Sequence, residues 1–235
     1  MIKYLQISFL FVFFSGALFA QKSAVYTHDL NDFNRAVELY NDKQYLSAQL
    51  LFEKVKTNQK TREVASDCAY YIANCALHLK QNGADELALK FVQEYPTSPK
   101  MNQTYVEVAH YYFEEGNYQK AIEWFDKADS SSMAYDDKEE FHFQKGYAYF
   151  ATKNYKEAAK YFNMILNSSV FGNQAKYYLG YMAYASDDYK SANNYFEQVG
   201  DQEKYQEKMG YFQADMNFKL GNFQKAIEVG EAQLQ

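Results

Sequence analysis

Histidine, cysteine and paired carboxylates most often carry catalysis or hold metals, and this chain of 235 residues has four histidines, two cysteines and several adjacent acidic pairs. His28, His78, His110 and His142 stand far apart. None of them forms the two-histidine spacing within one helical turn that builds a zinc site. Cys68 and Cys75 are seven residues apart. On one helix their Cα atoms would lie about 10 Å from each other, beyond the reach of roughly 7 Å that a disulfide needs. The two are expected as small, buried core residues, in a neighbourhood too poor in ligands for a metal. The pairs Glu114-Glu115, Asp136-Asp137 and Glu139-Glu140 invite an acid–base reading. They fall where helices start or stop, so solvated surface charge is the expectation. No glycine-rich phosphate loop and no nucleophile elbow occurs. The sequence therefore assigns no catalytic, metal-binding or cofactor-binding residue, and an enzyme is not expected.

Composition narrows the class further. Two prolines and ten glycines suit helices and leave little material for a turn-rich β-sandwich. The formal net charge is −6, and no run of Lys and Arg dominates a face. A nucleic-acid binder needs a basic stripe that displaces counterions, so no nucleic-acid partner is expected. Tyrosine and phenylalanine are abundant, at 24 and 19 residues, and that excess calls for a structural cause.

The N-terminus reads as an export signal. Lys3 supplies a positive start, a mostly apolar run extends from Leu5 to Phe19, and Ala20 suits a cleavage site. The run is shorter than the roughly 20 residues needed to span a bilayer. No cysteine follows Ala20, so a lipoprotein anchor is not indicated. The mature chain would start at Gln21 with 23 basic and 30 acidic residues, a net charge of −7, and no membrane span of its own.

One string recurs along the rest of the chain: a small residue, an aromatic, a polar turn, a second aromatic, an alanine and a third aromatic. It reads Ala109, Tyr112, Gly116-Asn117-Tyr118, Ala121, Phe125, and again Gly146, Tyr149, Asn154-Tyr155, Ala158, Phe162. It returns as Gly180, Asp188-Tyr189, Ala192, Phe196, and as Ala214, Gly221-Asn222-Phe223, Ala226. An early copy is Ala36, Leu39, Gln44-Tyr45, Ala48, Phe52. Ala121, Ala158, Ala192 and Ala226 are spaced by 37, 34 and 34 residues. A period of that length marks stacked supersecondary units, which bury their apolar faces only against neighbours. Small residues on the first helix are expected to face the alanine of the second and bring the axes close. The turn Asn and Gly residues are expected to supply unusual backbone angles.

This pattern resembles the tetratricopeptide repeat, a helix–turn–helix unit of about 34 residues. The resemblance covers residues 29–235. The family's usual first-helix tryptophan is missing, and Trp124 lies in a second helix instead. The fold implied is an all-α, right-handed α-solenoid of about six helix pairs. The expected organisation is a signal peptide at 1–20, a short linker at 21–28 and a solenoid at 29–235. Its repeats fall near 29–60, 66–99, 102–135, 139–170, 173–206 and 207–235. The second copy is irregular and closes on Tyr95-Pro96-Thr97-Ser98-Pro99, where the array is expected to bend. That ending resembles repeats of Gram-negative envelope proteins, including the β-barrel assembly lipoprotein and the coordinator of the Tol–Pal system. Asn102-Gln103-Thr104 and Asn167-Ser168-Ser169 match glycosylation acceptors, which matter only in a eukaryotic secretory pathway. At the other end, Ile227, Val229 and Leu234 have no following repeat to cover them. The expectation is that the chain is the N-terminal part of a longer protein.

The resemblance also implies a concave groove lined by first helices. Mapped onto this chain, the lining is Phe143, Tyr147 and Phe150, then Tyr177, Tyr181 and Tyr184, then Tyr211 and Phe218. Tyr70, Asn74, Val106, His110 and Phe113 continue it towards the N-terminus. Tyr177, Tyr181 and Tyr184 share one helix face by their spacing of four and three. The basic residues of the family's carboxylate clamp do not recur there. The function implied is a periplasmic scaffold that holds partner proteins or peptides, among them envelope or outer-membrane components. The alternative is a structural spacer in a larger envelope assembly or secretion complex, touching partners with its ends and convex face. An enzyme would require chemistry encoded beyond Gln235.

Overall fold

The computed structural model describes residues 30–58, 61–199 and 203–232. The signal peptide and linker expected at 1–28 lie outside them. Among the described residues the protein is helical, with no strand. Residues 30–41 form α1. It is followed by α2 (Tyr45–Asn58), α3 (Arg62–His78), α4 (Ala84–Glu94), α5 (Met101–Glu114) and α6 (Tyr118–Phe125). Next come α7 (Tyr135–Ala151), α8 (Tyr155–Met164), α9 (Gly172–Ala185), α10 (Tyr189–Glu197), α11 (Glu203–Lys219) and α12 (Phe223–Ala232).

The chain divides into two compact units, one ending at Glu107 and one beginning at Val108, so the division falls inside α5. In the first unit α2 packs on α3 and α3 on α4. Its core gathers Ala36, Ala48, Phe52, Val55, Ile72 and both cysteines, and a second cluster joins Tyr70 to Phe91. Cys68 and Cys75 are buried and free, and burial pushes both thiols up to about 12. In the second unit each helix packs on the next from α6 to α12, and α9 also meets α11. One position recurs as the anchor of the second helices α2, α4, α6, α8 and α10: Phe52, Phe91, Phe125, Phe162 and Phe196 are all essentially inaccessible. Each such burial contributes about 1.5–3 kcal/mol, so the aromatic excess of the sequence has a structural cause.

The close approach of paired helices differs in detail from expectation. Ala36, Ala109, Ala121, Ala158 and Ala192 are fully buried. Gly146 and Gly180, inside first helices, lie closest to aromatic side chains of the second helices. A Cβ on Gly146 would meet the ring of Phe162 at 3.1 Å, and one on Gly180 would meet the ring of Phe196 at 2.6 Å. The absent side chain makes room for a phenylalanine.

The turns divide their work between two residues. Left-handed backbone falls on Gly116 and Gly221, and also on Lys43, Lys153 and Asp187. The residue that follows caps the next helix in three turns. Asn117, Asn154 and Asp188 accept from the backbone N–H of Lys120, Glu157 and Ser191 at 3.3, 3.4 and 3.1 Å. Turn asparagine is thus an N-cap rather than a source of unusual backbone angles.

Glu139 corrects the reading of the acidic pairs as solvated surface. It is only 8% exposed, and its Oε2 accepts from the Ser168 hydroxyl at 2.7 Å. Asp136 and Asp137 do lie exposed in the first turn of α7, where acidic charge suits the helix dipole. Lys145 is buried too. Its ammonium donates to the Phe125 carbonyl at 3.1 Å and pairs with Asp126 at 2.9 Å, tying α7 to the end of α6. Trp124, next to Phe125 in sequence, is buried, with the Lys127 ammonium 4.1 Å from the ring centre.

Candidate functional site

First helices α5, α7 and α9 of the second unit carry aromatic residues at helical spacing, and their stacking sets those residues side by side. Phe113, Tyr118, Phe143, Tyr147, Gln174, Tyr177, Tyr178 and Tyr205 line a cleft of about 450 Å3. Its rings meet mostly edge to face: Phe113–Tyr147 at 5.7 Å, Tyr118–Tyr147 at 5.5 Å and Tyr147–Tyr178 at 5.3 Å between centroids. Tyr177 reaches Tyr205 at 5.0 Å. Such contacts fix ring orientation beyond what burial alone does. Among the described residues no charged side chain lines the cleft. Burial raises the phenols of Tyr118, Tyr177 and Tyr178, with neighbouring tyrosines adding to the effect. These hydroxyls therefore stay neutral across the physiological range. The side-chain oxygen of Gln174 is covered and has no hydrogen-bond partner among the described residues.

A polar cluster lies on the same first helices. His110 accepts from the Gln144 amide at Nδ1, 3.0 Å away, and its Nε2 stands 3.2 Å from Glu114. The same amide donates to Glu140 at 2.8 Å. One tautomer, with the proton on Nε2, satisfies all three contacts. Among the described residues no group of His, Cys, Asp and Glu is placed to hold a metal ion.

A second aromatic run lies towards α11. Phe150 meets Tyr178 at 4.8 Å and Tyr181 at 5.5 Å. Tyr181 and Tyr184 both contact Phe212, at 5.7 and 4.9 Å. The Tyr184 hydroxyl donates to Asp215 at 2.6 Å, and Asp215 is held in turn by Lys219 at 2.8 Å. These tyrosines are packed between helices on one side and open on the other.

Of the residues expected on the binding face, Phe113, Phe143, Tyr147 and Tyr177 line the cleft. Phe150, Tyr181 and Tyr184 form the adjoining run, and His110 belongs to the polar cluster. Tyr211 and Phe218, 66% and 63% exposed, are not among the residues lining it. Val106 is half-buried and belongs to the first unit. Tyr70 and Asn74 are corrected: at 2% and 1% exposure they are core residues of that unit. Tyr70 packs on Phe91 at 5.9 Å, so neither offers a surface to a partner. The cleft also contains Tyr118, Tyr178, Tyr205 and Gln174, which sequence mapping missed. Tyr118 begins a second helix, and Tyr178 occupies a packing position stacked on Phe162 at 5.3 Å. Their signal was the recurring Asn117-Tyr118 turn in the one case and the adjacent Tyr177 in the other.

Residues 103–132 and 139–166 match the family model described as tetratricopeptide repeat. These two stretches are tetratricopeptide repeats. The solved structures similar to this repeat protein include PilF of Pseudomonas aeruginosa. It is 14% identical, with 87% of this chain and 89% of that chain covered and a TM-score of 0.55. A tetratricopeptide repeat protein from Parabacteroides merdae is 14% identical, with 87% and 78% covered and a TM-score of 0.57. PilW, described as a widely conserved type IV pilus biogenesis factor, is 20% identical, with 88% and 92% covered and a TM-score of 0.52. At these identities the likeness concerns the fold alone. No curated protein matches the sequence. Repeats of this kind mediate protein–protein interaction, and no helix among the described residues is long and apolar enough to cross a membrane.

Proposed function

We propose that this repeat protein is an exported cell-envelope scaffold that holds a segment of a partner protein on the aromatic face of its second unit. The observation that carries the reading is the cleft between Phe113 and Tyr205, lined by seven aromatic residues and one amide. Tyrosine offers a large apolar area, a polar tip and few rotors to freeze, which makes it a favoured contact residue. Export rests on the short apolar run ending at Ala20 without a lipidation cysteine, and the envelope partner rests on that location. The test is capture from envelope extract by residues 21–235, compared with a Tyr147→Ala/Tyr177→Ala variant checked for melting temperature. Loss of capture in a stable variant supports the cleft, since losing one aromatic anchor costs about 2 kcal/mol or more. Unchanged capture moves the site elsewhere. Intact mass of the protein from its native host tests export: a chain beginning near Gln21 is expected, and retention of Met1 or an added acyl group overturns it.

A second reading, a spacer that touches its partners with an end, has its own support. Tyr211, Phe218, Phe223 and Ile227 are exposed on α11 and α12. Phe218→Ser/Ile227→Ser would abolish capture under that reading and spare it under the first.

A further inference from the structure

We infer that the open face of α11 and α12 pairs with the same face of a second copy of this chain, the two α12 helices lying antiparallel; this rests on the reading of that end as a contact surface and names its occupant. The repeat register shows what the face lacks. Tyr177 and Tyr184 of α9 pack against the next first helix, on Tyr205 at 5.0 Å and Phe212 at 4.9 Å. Their counterparts one repeat later, Tyr211 and Phe218, are 66% and 63% exposed. On the second helices, Ala192 and Phe196 are buried, and the residues in their places on α12 are Ala226 and Gly230. A Cβ at Gly230 would meet nothing within 4 Å among the described residues, so the space that an anchor ring fills in the earlier pairs is open here. Phe223 and Ile227 are exposed beside it. Phe223 meets Phe218 at 5.5 Å, which joins the two helices into one apolar surface. A surface of that kind marks an interaction site.

Two features make the occupant a second copy. The first is self-complementarity. Phe223, Ala226, Ile227 and Gly230 share one stripe of α12 by their helical spacing, and Phe223 and Gly230 are symmetric about the midpoint between Ala226 and Ile227. When two α12 helices cross antiparallel at that midpoint, each Phe223 ring falls over the other copy's Gly230, and Ala226 meets Ile227. A large side chain is set against an absent one, as close packing demands. Such an isologous contact uses one patch on both partners and closes after two copies. The second feature is the chemistry of the opposite end of the array. Met209, Phe212 and Met216 of α11 pack with Ala192 and Phe196 of α10. Counted from the shared position of Ala36 and Ala214, their counterparts on α1 are Asn31, Asn34 and Glu38, all exposed. Head-to-tail stacking would press those polar groups onto Phe223 and Ile227, where they lose water without gaining partners. The array therefore starts on a polar cap, as solenoids do, and its apolar end matches itself rather than that start.

Sedimentation velocity of residues 21–235, from micromolar to near-millimolar concentration, tests this. A monomer–dimer equilibrium is expected, with nothing larger. Ile227→Lys should weaken association about tenfold or more, because a two-fold contact feels each substitution twice. The melting temperature of dilute protein should hold, since Ile227 is 54% exposed in the single chain. Gly230→Phe separates the pairing from general stickiness. It restores the anchor ring of the earlier pairs and fills the space that the partner's Phe223 would enter. It should weaken the dimer about tenfold or more and leave the melting temperature of the monomer equal or higher, helped by the loss of a helical glycine. A merely sticky face would associate more tightly with the added ring. Amide exchange over residues 223–232 should slow as the dimer forms. An open-ended series of larger species overturns the inference, as does a dimer that either variant leaves intact. If the chain stays monomeric while capture from extract depends on Phe218 and Ile227, a different partner takes the face: the inference falls and the reading of the end stands. If capture is independent of those residues too, both fall.

Discussion

Gly180 of α9 lies under the ring of Phe196 of α10, so close that a Cβ at Gly180 would fall 2.6 Å from the ring's Cε1 atom. Gly146 has the same relation to Phe162, but at 3.1 Å. The two glycines thus differ in how much room their partner ring must yield. Both sit inside helices, where replacing Gly by Ala gains about 1 kcal/mol of helix propensity. Against that stands the cost of overpacking, about 1–3 kcal/mol.

Gly180→Ala is therefore expected to destabilise the second unit by about 1–2 kcal/mol, because the shorter contact outweighs the propensity gain. Gly146→Ala is expected to be near neutral. Urea midpoints of the two variants, measured side by side, check the order.

That distinction marks where sequence reading ran out. The period of alanines from Ala121 to Ala226 made a helical array legible, because a fixed register of small and aromatic residues has few other solutions. It also brought out Phe113, Phe143, Tyr147 and Tyr177 as neighbours on successive first helices. It did not separate face from core in the irregular second copy. A shift of one residue turns a helical position by about 100°, enough to carry Tyr70 and Asn74 from an imagined groove into the core. Nor did it show that Gln174 and Tyr205 close the cleft, since neither belongs to the repeated string.

The turn before α8 separates two opposing effects. Lys153 holds left-handed backbone at φ +62°, a conformation in which a side chain is strained. Lys153→Gly is expected to raise stability by up to about 1 kcal/mol. Asn154→Ala, one residue on, removes the cap on Glu157 and should lower stability by about 1 kcal/mol. Thermal melts of the two variants should shift in opposite directions.

His142 links stability to pH. Burial lowers its pKa from the ordinary 6.5, and the positive charges of Lys138 and Lys145 act in the same sense. Ser130 Oγ lies 3.3 Å from its Nε2, and the Tyr161 ring stands 6.0 Å away. In the folded state the ring therefore resists a proton that the unfolded chain accepts. The unfolded state binds more protons below pH 6.5, so stability falls as pH drops through that value. The loss levels off below the depressed folded pKa. Melting temperatures should decline between pH 7.5 and about 5.5, and His142→Gln should reduce the slope in that window.

α12 should open most readily among the described helices of the second unit. None of its residues is buried, while α8 and α10 each bury an alanine and a phenylalanine. Local opening is cheapest where few apolar contacts must be broken. Amide exchange is expected to be fastest over residues 223–232. Protection there equal to that of residues 155–164 would show that α12 is held by contacts other than burial.

The positions of Trp124, Cys68 and Cys75 equip the natural chain with two reporters that do not overlap. The only tryptophan is buried in the unit that begins at Val108, and both thiols are buried in the unit that ends at Glu107. Excitation at the red edge of the absorption band, where tyrosine is silent, follows the second unit alone. The rate at which a thiol reagent labels the protein follows the first, since a sulfur becomes a nucleophile only when exposed and ionised. Recorded together through one denaturant series, fluorescence and labelling state whether the two halves melt as one body or in sequence. No substitution has to be introduced to ask it.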